Sequence, residues 1–345
     1  MELKQLPAEI QLIDALTSVF QKSPDQLNER HGSDAELIQL GNGTVLACTA
    51  DAIVEEIEFG LYDDPYLIGR MLVTVNLSDL AAVGATPIGL LLSQSLPTSL
   101  AQDYTMALQA GIAEACRAYN TFILGGDTSV GKQFHVGATA IGTVAADGVM
   151  SRLGMKSGDV LYTTAPLGSG SAYAFDKLLM AAANGIDYQP TARLKEGQLL
   201  GRFASACIDT SDGFWAALDE LGRLNDVGFH LQQTLEAVLH PDALAMVQQN
   251  QLPAWMLLAG PHGEFELLFT VPEEKETAFL QAAEKENWKP LRIGRVSEGP
   301  MVQYEYKAQS YHIDTHLIRQ SFEQSEGDLQ KYMTKLKQLH HRFFL

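Results

Sequence analysis

The octet Ile208-Asp209-Thr210-Ser211-Asp212-Gly213-Phe214-Trp215 sets two carboxylates three residues apart, with two hydroxyls between them and a glycine behind. A helix start accounts for part of this pattern. Ser211 or Asp212 could cap a helix that runs through Phe214, Leu218 and Leu221 at helical spacing. A cap uses one acid and leaves the other unexplained. The same context recurs along the chain: "TVLACTAD" ends at Asp51, "MLVTVNLSD" at Asp79 and "TFILGGD" at Asp127, and Asp34 precedes another apolar run. Each of these aspartates, taken alone, also fits a cap or a turn. Strand ends beside Gly, Ser and Thr are where α/β proteins present ligand groups. Carboxylates gathered there without Lys or Arg repel one another and are costly to bury unpaired. A divalent cation resolves that conflict, and Mg²⁺, a hard ion that prefers oxygen ligands, is commonly shared with substrate phosphates.

Several common chemistries are missing. The chain has no GxxxxGK[ST] loop, no GxGxxG opening a helix, no HExxH and no GxSxG. Its glycine pair in "APLGSGSAY" reads as a tight strand-to-helix turn. Without a lysine-based cradle, positive charge for a phosphate would have to come from metal.

The elements that must carry these acids are legible in outline. Residues 6–20 repeat apolar positions at helical spacing, and "LIQLGNGTVLACTADAIV" reads as two strands joined at Gly41-Asn42-Gly43. Residues 71–85 begin as a β-rich run and turn helical after Asn76. Ser99 through Gln102 has capping-box spacing and opens a helix to about Tyr119. "TFILGGDTSVG" reads as a buried strand entering a glycine turn. After a boundary near 150, strand and helix signals resume at 160–164, 171–184, 203–209, 212–224, 265–271 and 274–286. The alternation predicts an α/β (α+β) chain of two halves with mixed sheets: an N-terminal domain over 1–150, a second over 151–305, and a helical extension over 306–345. In that extension Met333, Leu336 and Phe343 share a face that should pack on the body or on a partner.

With 345 residues, 46% of them hydrophobic and 19% charged, the chain can build two ordinary cores. Forty-two acidic against 24 basic residues leave a net charge of −18, which argues against nucleic acid as a partner. Cys48, Cys116 and Cys207 lie in separate apolar runs, as buried free thiols do. "MELKQLPAEI" lacks the pattern of a signal peptide, and Pro87 and Pro97 break the uncharged stretch from Leu80 to Gln102. The expectation is a cytoplasmic protein without a membrane span.

Five blocks in order, "NLSDLAAVGATP", "LGGDTSVG", "SRLGMKSGDVLYTTAPLG", "IDTSDGF" and "EFELLFTV", resemble the superfamily of aminoimidazole-ribonucleotide synthase, selenophosphate synthetase, the hydrogenase-maturation dehydratase and thiamine-monophosphate kinase. The resemblance spans roughly residues 28–300 and is strongest to the kinase. It implies two α/β halves and a homodimer whose N-terminal halves form a barrel, with ATP and several Mg²⁺ in a cleft. It assigns metal to Asp34, Thr49, Asp51, Asp79, Asp127, Asp209 and Asp212, with Asp212 catalytic. Gly126, Asp127, Arg152 and Ser211 would meet the nucleotide. No general base is needed when the acceptor is already a phosphate anion, so catalysis would rest on positioning and electrostatics.

The departures from the kinase pattern cluster on the acceptor side. Ser33 replaces a first acid and Ala50 a metal-side threonine. Glu58 and Gly263 stand where a histidine and a glutamate contact substrate, so they mark a rewritten acceptor site for a small phosphorylated metabolite. The selenophosphate and dehydratase branches fit less well, since the chain lacks the reactive N-terminal residue of one and ends in "HHRFFL" rather than the cysteine of the other. Two other readings stay open: a synthase-type enzyme that activates a carbonyl or amide oxygen, and a degenerate homologue that serves as a scaffold.

Overall fold

The structure is a computed structural model that describes residues 7–180 and 185–344. Among the described residues no helix is long and apolar enough to cross a membrane. The N-terminal half holds α1 (Ala8–Thr17), β1 (Glu36–Gly41), β2 (Thr44–Ala52), α2 (Glu55–Glu58), α3 (Pro65–Ala82), β3 (Thr86–Pro97), α4 (Gln102–Ala118), β4 (Ile123–Gly131) and β5 (His135–Ala145). Its five strands form one sheet in the order β1-β2-β5-β3-β4, antiparallel except where β3 meets β4. The Gly41-Asn42-Gly43 hairpin joins β1 to β2 as expected.

The second half begins with β6 (Val160–Thr163), α5 (Ser169–Leu179), α6 (Leu194–Leu200), β7 (Ala206–Asp209), α7 (Phe214–Asn225) and β8 (Val227–Leu231). It continues with α8 (Leu235–Val238), α9 (Pro241–Asn250), β9 (Leu267–Val271), α10 (Glu273–Lys285) and β10 (Leu291–Glu298). The chain then forms β11 (Val302–Tyr306), β12 (Gln309–Ile313), α11 (Thr315–Glu323) and α12 (Leu329–Phe344). The seven strands make a mixed sheet, β12-β11-β8-β10-β6-β9-β7, parallel between β11 and β8. Strand β12 corrects the expected start of the helical extension at 306: those residues pair with β11, and helix begins at Thr315. The last four positions of the helix expected over 171–184 lie outside the described residues.

Four local expectations fail for identifiable reasons. Residues 71–76 are helix, not strand, because α3 starts at Pro65, with Asp64 accepting from the Tyr66 amide, and the helix expected after Asn76 continues it. The helix lies between the two sheets and is buried on nearly every face, so its β-branched run (Val73, Thr74, Val75) carries no helical stripe. Strand β4 is exposed along almost its whole length, since it is an edge strand of a sheet with an uncovered side. Ser99 does not cap α4, because β3 runs on to Pro97 and the helix starts only at Gln102. Neither Ser211 nor Asp212 caps α7; Gly213 takes that position with no side-chain bond.

One core joins the first sheet, α3 and one face of the second sheet; the other fills the opposite face of the second sheet and the helices on it. The Tyr332, Leu336 and Phe343 side chains bury α12 on the second half, and His340 receives a hydrogen bond from the indole of Trp255 at 3.0 Å. Trp215 donates to the Trp255 carbonyl and Trp288 to that of Thr164, so all three tryptophans are tied into the second half. The three cysteines are free, Cys116 and Cys207 buried and Cys48 half-buried.

Candidate active site

Helix α3, strand β2 and strand β7 converge at one point. The last turn of α3 supplies Ser78 and Asp79, while Thr49 and Asp51, two apart on β2, share the face turned toward that helix. The Thr49 hydroxyl donates to Asp79 at 2.5 Å. Asn76, one turn earlier on α3, accepts from the Asp51 amide at 3.1 Å and fixes β2 against the helix. From the other side, β7 ends at Asp209, whose carboxylate accepts from the Ser78 hydroxyl at 2.5 Å and the Ser211 hydroxyl at 2.7 Å. Asp34, in the segment before β1, completes the group. One oxygen from each of Asp34, Asp79 and Asp209 lies within 4.8 Å of the others.

Charge at this point is poorly compensated. Burial pushes Asp209 up to about 7, the Asp34 charge adds to the rise, and the Ser78 and Ser211 hydrogen bonds oppose it. Burial also holds Asp79 well above the carboxylate range, with Asp51, Asp209 and Asp34 adding repulsion. The cation in contact is Arg152, whose Nη2 lies 3.0 Å from Asp34. Two oxygens bound to one Mg²⁺ stand about 3 to 4 Å apart. The observed spread therefore fits a shared ion after small side-chain rotations, and the all-oxygen donor set suits a hard cation.

A cavity of about 190 Å³ opens beside the cluster. Arg152, Asp209, Ser211 and Asp212 line one side, Glu220 and Arg319 another, and α1 closes it with Ile10 and Ile13. Of the residues singled out from sequence, Asp34, Thr49, Asp51, Asp79 and Asp209 meet at the cluster, and Arg152, Ser211 and Asp212 line the adjoining cleft. Sequence reading missed Asn76 and Ser78, which orient the acids. Both lie in "NLSD", and the signal was there: read as helix, Asn76 and Asp79 fall three apart on one face.

Gly126 and Asp127 do not join that group within one chain. Pairing sets Asp127 beside Ser93, Ser93 beside Gly137 and Gly137 beside Ala52, so Asp127 shares the sheet face opposite Asp51. Three strand spacings, about 14 Å, separate β4 from β2. Gly126 has a packing reason to be glycine, since a Cβ there would lie 2.0 Å from the Leu92 carbonyl oxygen.

The acceptor positions also differ from expectation. Glu58 is exposed at the end of α2. Gly263 is buried rather than open to a ligand: a Cβ would lie 1.5 Å from the Thr210 oxygen, and its carbonyl accepts from the Tyr188 hydroxyl at 2.6 Å. Around it, Tyr188 stacks on Tyr173 with centroids 4.8 Å apart, and the Tyr62 hydroxyl meets His262 Nε2 at 3.2 Å. Beside it, Glu264 is pushed up to about 8 by burial, while the Gly168 amide and Thr210 hydroxyl bond its carboxylate. A wall of aromatic rings thus fills the space behind the loop.

The chain is similar to known proteins in sequence and in fold. A family model described as AIR synthase related protein, N-terminal domain, matches residues 32–144. The chain is 31% identical to the thiamine-monophosphate kinase of Escherichia coli (strain K12) over 252 residues, 70% of this chain and 76% of that one. It is 30% identical to the thiamine-monophosphate kinase of Pyrococcus abyssi over 256 residues, 72% of this chain and 79% of that one. Its fold is similar to a solved structure described as AaThiL complexed with AMPPCP and TMP, with a TM-score of 0.72 at 23% identity, covering 91% of this chain and 99% of the other.

Proposed function

The chain belongs to the thiamine-monophosphate kinase family, and from that premise we propose that it is an ATP-dependent kinase, requiring Mg²⁺, whose acceptor is a small phosphorylated metabolite other than thiamine monophosphate. The observation that carries the phosphoryl-transfer half of this reading is the trio Asp34, Asp79 and Asp209, with oxygens within 4.8 Å of one another and too little positive charge beside them. Together with Thr49, Asp51 and Asp212 they would hold Mg²⁺, which when bound neutralises charge on the transferring phosphoryl group. Ser78 and Ser211 hold the Asp209 carboxylate in one orientation, and Asn76 fixes the strand that carries Asp51. Arg152 and Ser211 face the cleft where nucleotide phosphates would lie, and Asp212 at its mouth takes the catalytic position. An acceptor that is itself a phosphate anion needs no base, so these residues position and neutralise rather than move a proton.

The altered acceptor rests on Gly263 and Glu58. One has no room for a side chain and the other replaces a neutral or cationic contact with an anion. We read the uncovered face of the first sheet as a homodimer seam. Exposed apolar residues lie on it and along its edge, with Leu91 on β3, Ile123, Leu124 and Val130 on the edge strand β4, and Phe122 just before it. Closing two such faces into a barrel would carry Gly126 and Asp127 toward the partner's carboxylates.

Thermal shift with ATP alone, Mg²⁺ alone and both tests the nucleotide half, since ligands that bind only the folded state raise its midpoint. Synergy between the two is expected; no shift at millimolar ligand would leave the scaffold reading in its place. An ADP-release screen over phosphorylated metabolites then tests the acceptor, with thiamine monophosphate expected to be a poor substrate. Efficient turnover of thiamine monophosphate would overturn the altered acceptor.

A further inference from the structure

Helix α11 lies beyond the stretch of roughly residues 28–300 that resembles the family, yet it reaches the carboxylate cleft. Its placement is tightly held. Asp314 caps its first turn by accepting from the Leu317 amide at 3.3 Å. The Thr315 hydroxyl donates to Asp219 at 2.9 Å, and His316 Nδ1 lies 3.5 Å from the same carboxylate. Asp219 and Glu220 are neighbours on α7, so α11 is fixed against the helix that follows the loop of Asp209 and Asp212. One turn past Thr315 comes Arg319, whose Nη1 donates to Glu220 at 3.2 Å.

Arg319 is almost enclosed, with 13% of its side chain exposed, and it lines the cleft beside Ala216, Ala217 and Glu220. Those three positions of α7 share one helical face, and the two alanines keep that face low. Glu220 does not neutralise Arg319 alone. Its other oxygen accepts from Arg223, which lies outside the cleft lining. One carboxylate between two guanidiniums leaves a positive charge uncompensated. Among the described residues, Nε and Nη2 of Arg319 make no hydrogen bond, although enclosing such donors unpaired is costly. Arg152 is engaged differently, since both its arms hold Asp34. Burial raises Asp212, and of the two cations that oppose the rise Arg319 acts more strongly than Arg152.

We propose that Arg319 is a phosphate-binding residue of the cleft, its unbonded guanidinium edge meeting the terminal phosphate of the nucleotide at the end marked by Asp212. The assignment rests on the kinase reading above and adds to it a cation supplied by the C-terminal helices. A planar guanidinium matches two phosphate oxygens at once and offsets charge as the phosphoryl group transfers. Calorimetry with Mg²⁺ compares ADP with a non-hydrolysable ATP analogue. Arg319→Met should weaken the analogue about tenfold, the worth of one charge-assisted contact, and leave ADP unchanged. Arg319→Lys should recover part of that loss, since it keeps the charge without the fork. Arg223→Met removes the other hold on Glu220 and stands for a purely structural role; neither affinity should change. Melting curves check that each variant is folded. Unchanged analogue binding in Arg319→Met, an equal loss for both nucleotides, or the same selective loss in Arg223→Met would each overturn the assignment. An unaltered protein that binds neither nucleotide would overturn the kinase reading itself, and the assignment with it.

Discussion

Arg152 grips Asp34 with both arms of its guanidinium, Nη2 at 3.0 Å from one carboxylate oxygen and Nε at 3.3 Å from the other. The pair spans 118 residues of sequence and joins the segment before β1 to the turn before β6. It parks a cation on an acid that Mg²⁺ would need. Arg152→Met should therefore strengthen stabilisation by Mg²⁺ alone, because Asp34 is freed. ATP with Mg²⁺ should bind about tenfold more weakly, since one charge-assisted contact is lost. Thermal shift and calorimetry read the two effects separately. An unchanged response to Mg²⁺ alone would remove Asp34 from the metal set.

If Asp209 is a metal ligand, its raised carboxyl makes metal binding depend on pH. Its folded value of about 7 exceeds the ordinary 3.8, so the folded state holds the extra proton between those limits. The metal-free protein should lose stability as pH rises through that window. Mg²⁺ must displace the proton, so its midpoint shift should be small in mild acid and reach its full size above neutrality. Ser78→Ala removes a hydrogen bond that lowers Asp209, and should move the onset of the Mg²⁺ effect to higher pH. Melting curves across pH, with and without Mg²⁺, check both statements. A Mg²⁺ effect of constant size would count against Asp209 as a ligand.

Gly263 tests the proposed change of acceptor. Gly263→Ala puts a carbon where the Thr210 oxygen already lies, which should cost about 3 kcal/mol or more in chemical denaturation. Gly263→Glu, which restores the acid of the kinase pattern, should destabilise the chain as well and should not create activity toward thiamine monophosphate. A stable, active Gly263→Glu variant would mean that the loop opens readily and that the aromatic wall is no barrier.

Asp127 provides the test of assembly. If it serves the partner's site, Asp127→Asn and Asp212→Asn subunits should complement each other. Each mixed dimer then keeps one site with both aspartates intact, and random mixing would recover about a quarter of full activity. ADP release from co-refolded mixtures measures this. Mixtures as inactive as two inactive parents would place Asp127 in its own subunit's chemistry, and an active Asp127→Asn parent would place it outside the chemistry altogether.

The site was more legible than the elements that carry it. Asp34, Asp51, Asp79 and Asp209 stood out because acids recur beside glycines and hydroxyls after apolar runs, and that context survives a wrong assignment of strand or helix. Asp79 shows this: the run that leads to it, "MLVTVN", reads as strand, yet the acid reaches the cluster from the last turn of α3. A helix buried on all sides has no polar face to reveal its period, so only its packing between two sheets settles its form. The hydrogen bonds from Thr49 and Ser78 depend on segments 30 and 131 residues away, a relationship that spacing cannot display. Asp127 illustrates the opposite error. Its sequence context matches the other acids, but strand order puts it at the far edge of the sheet, facing the other way.

The placement of the tryptophans gives the chain a spectroscopic asymmetry. Trp215, Trp255 and Trp288 all lie in the second half, bonded to Trp255, His340 and Thr164, and none lies in the first. Ultraviolet emission therefore reports on one half alone, while far-ultraviolet dichroism averages over both. If the shared core around α3 makes the halves melt as a unit, the two signals will trace the same curve. If the first sheet opens earlier, dichroism will fall while emission holds, and the order of unfolding can be read without labelling a residue.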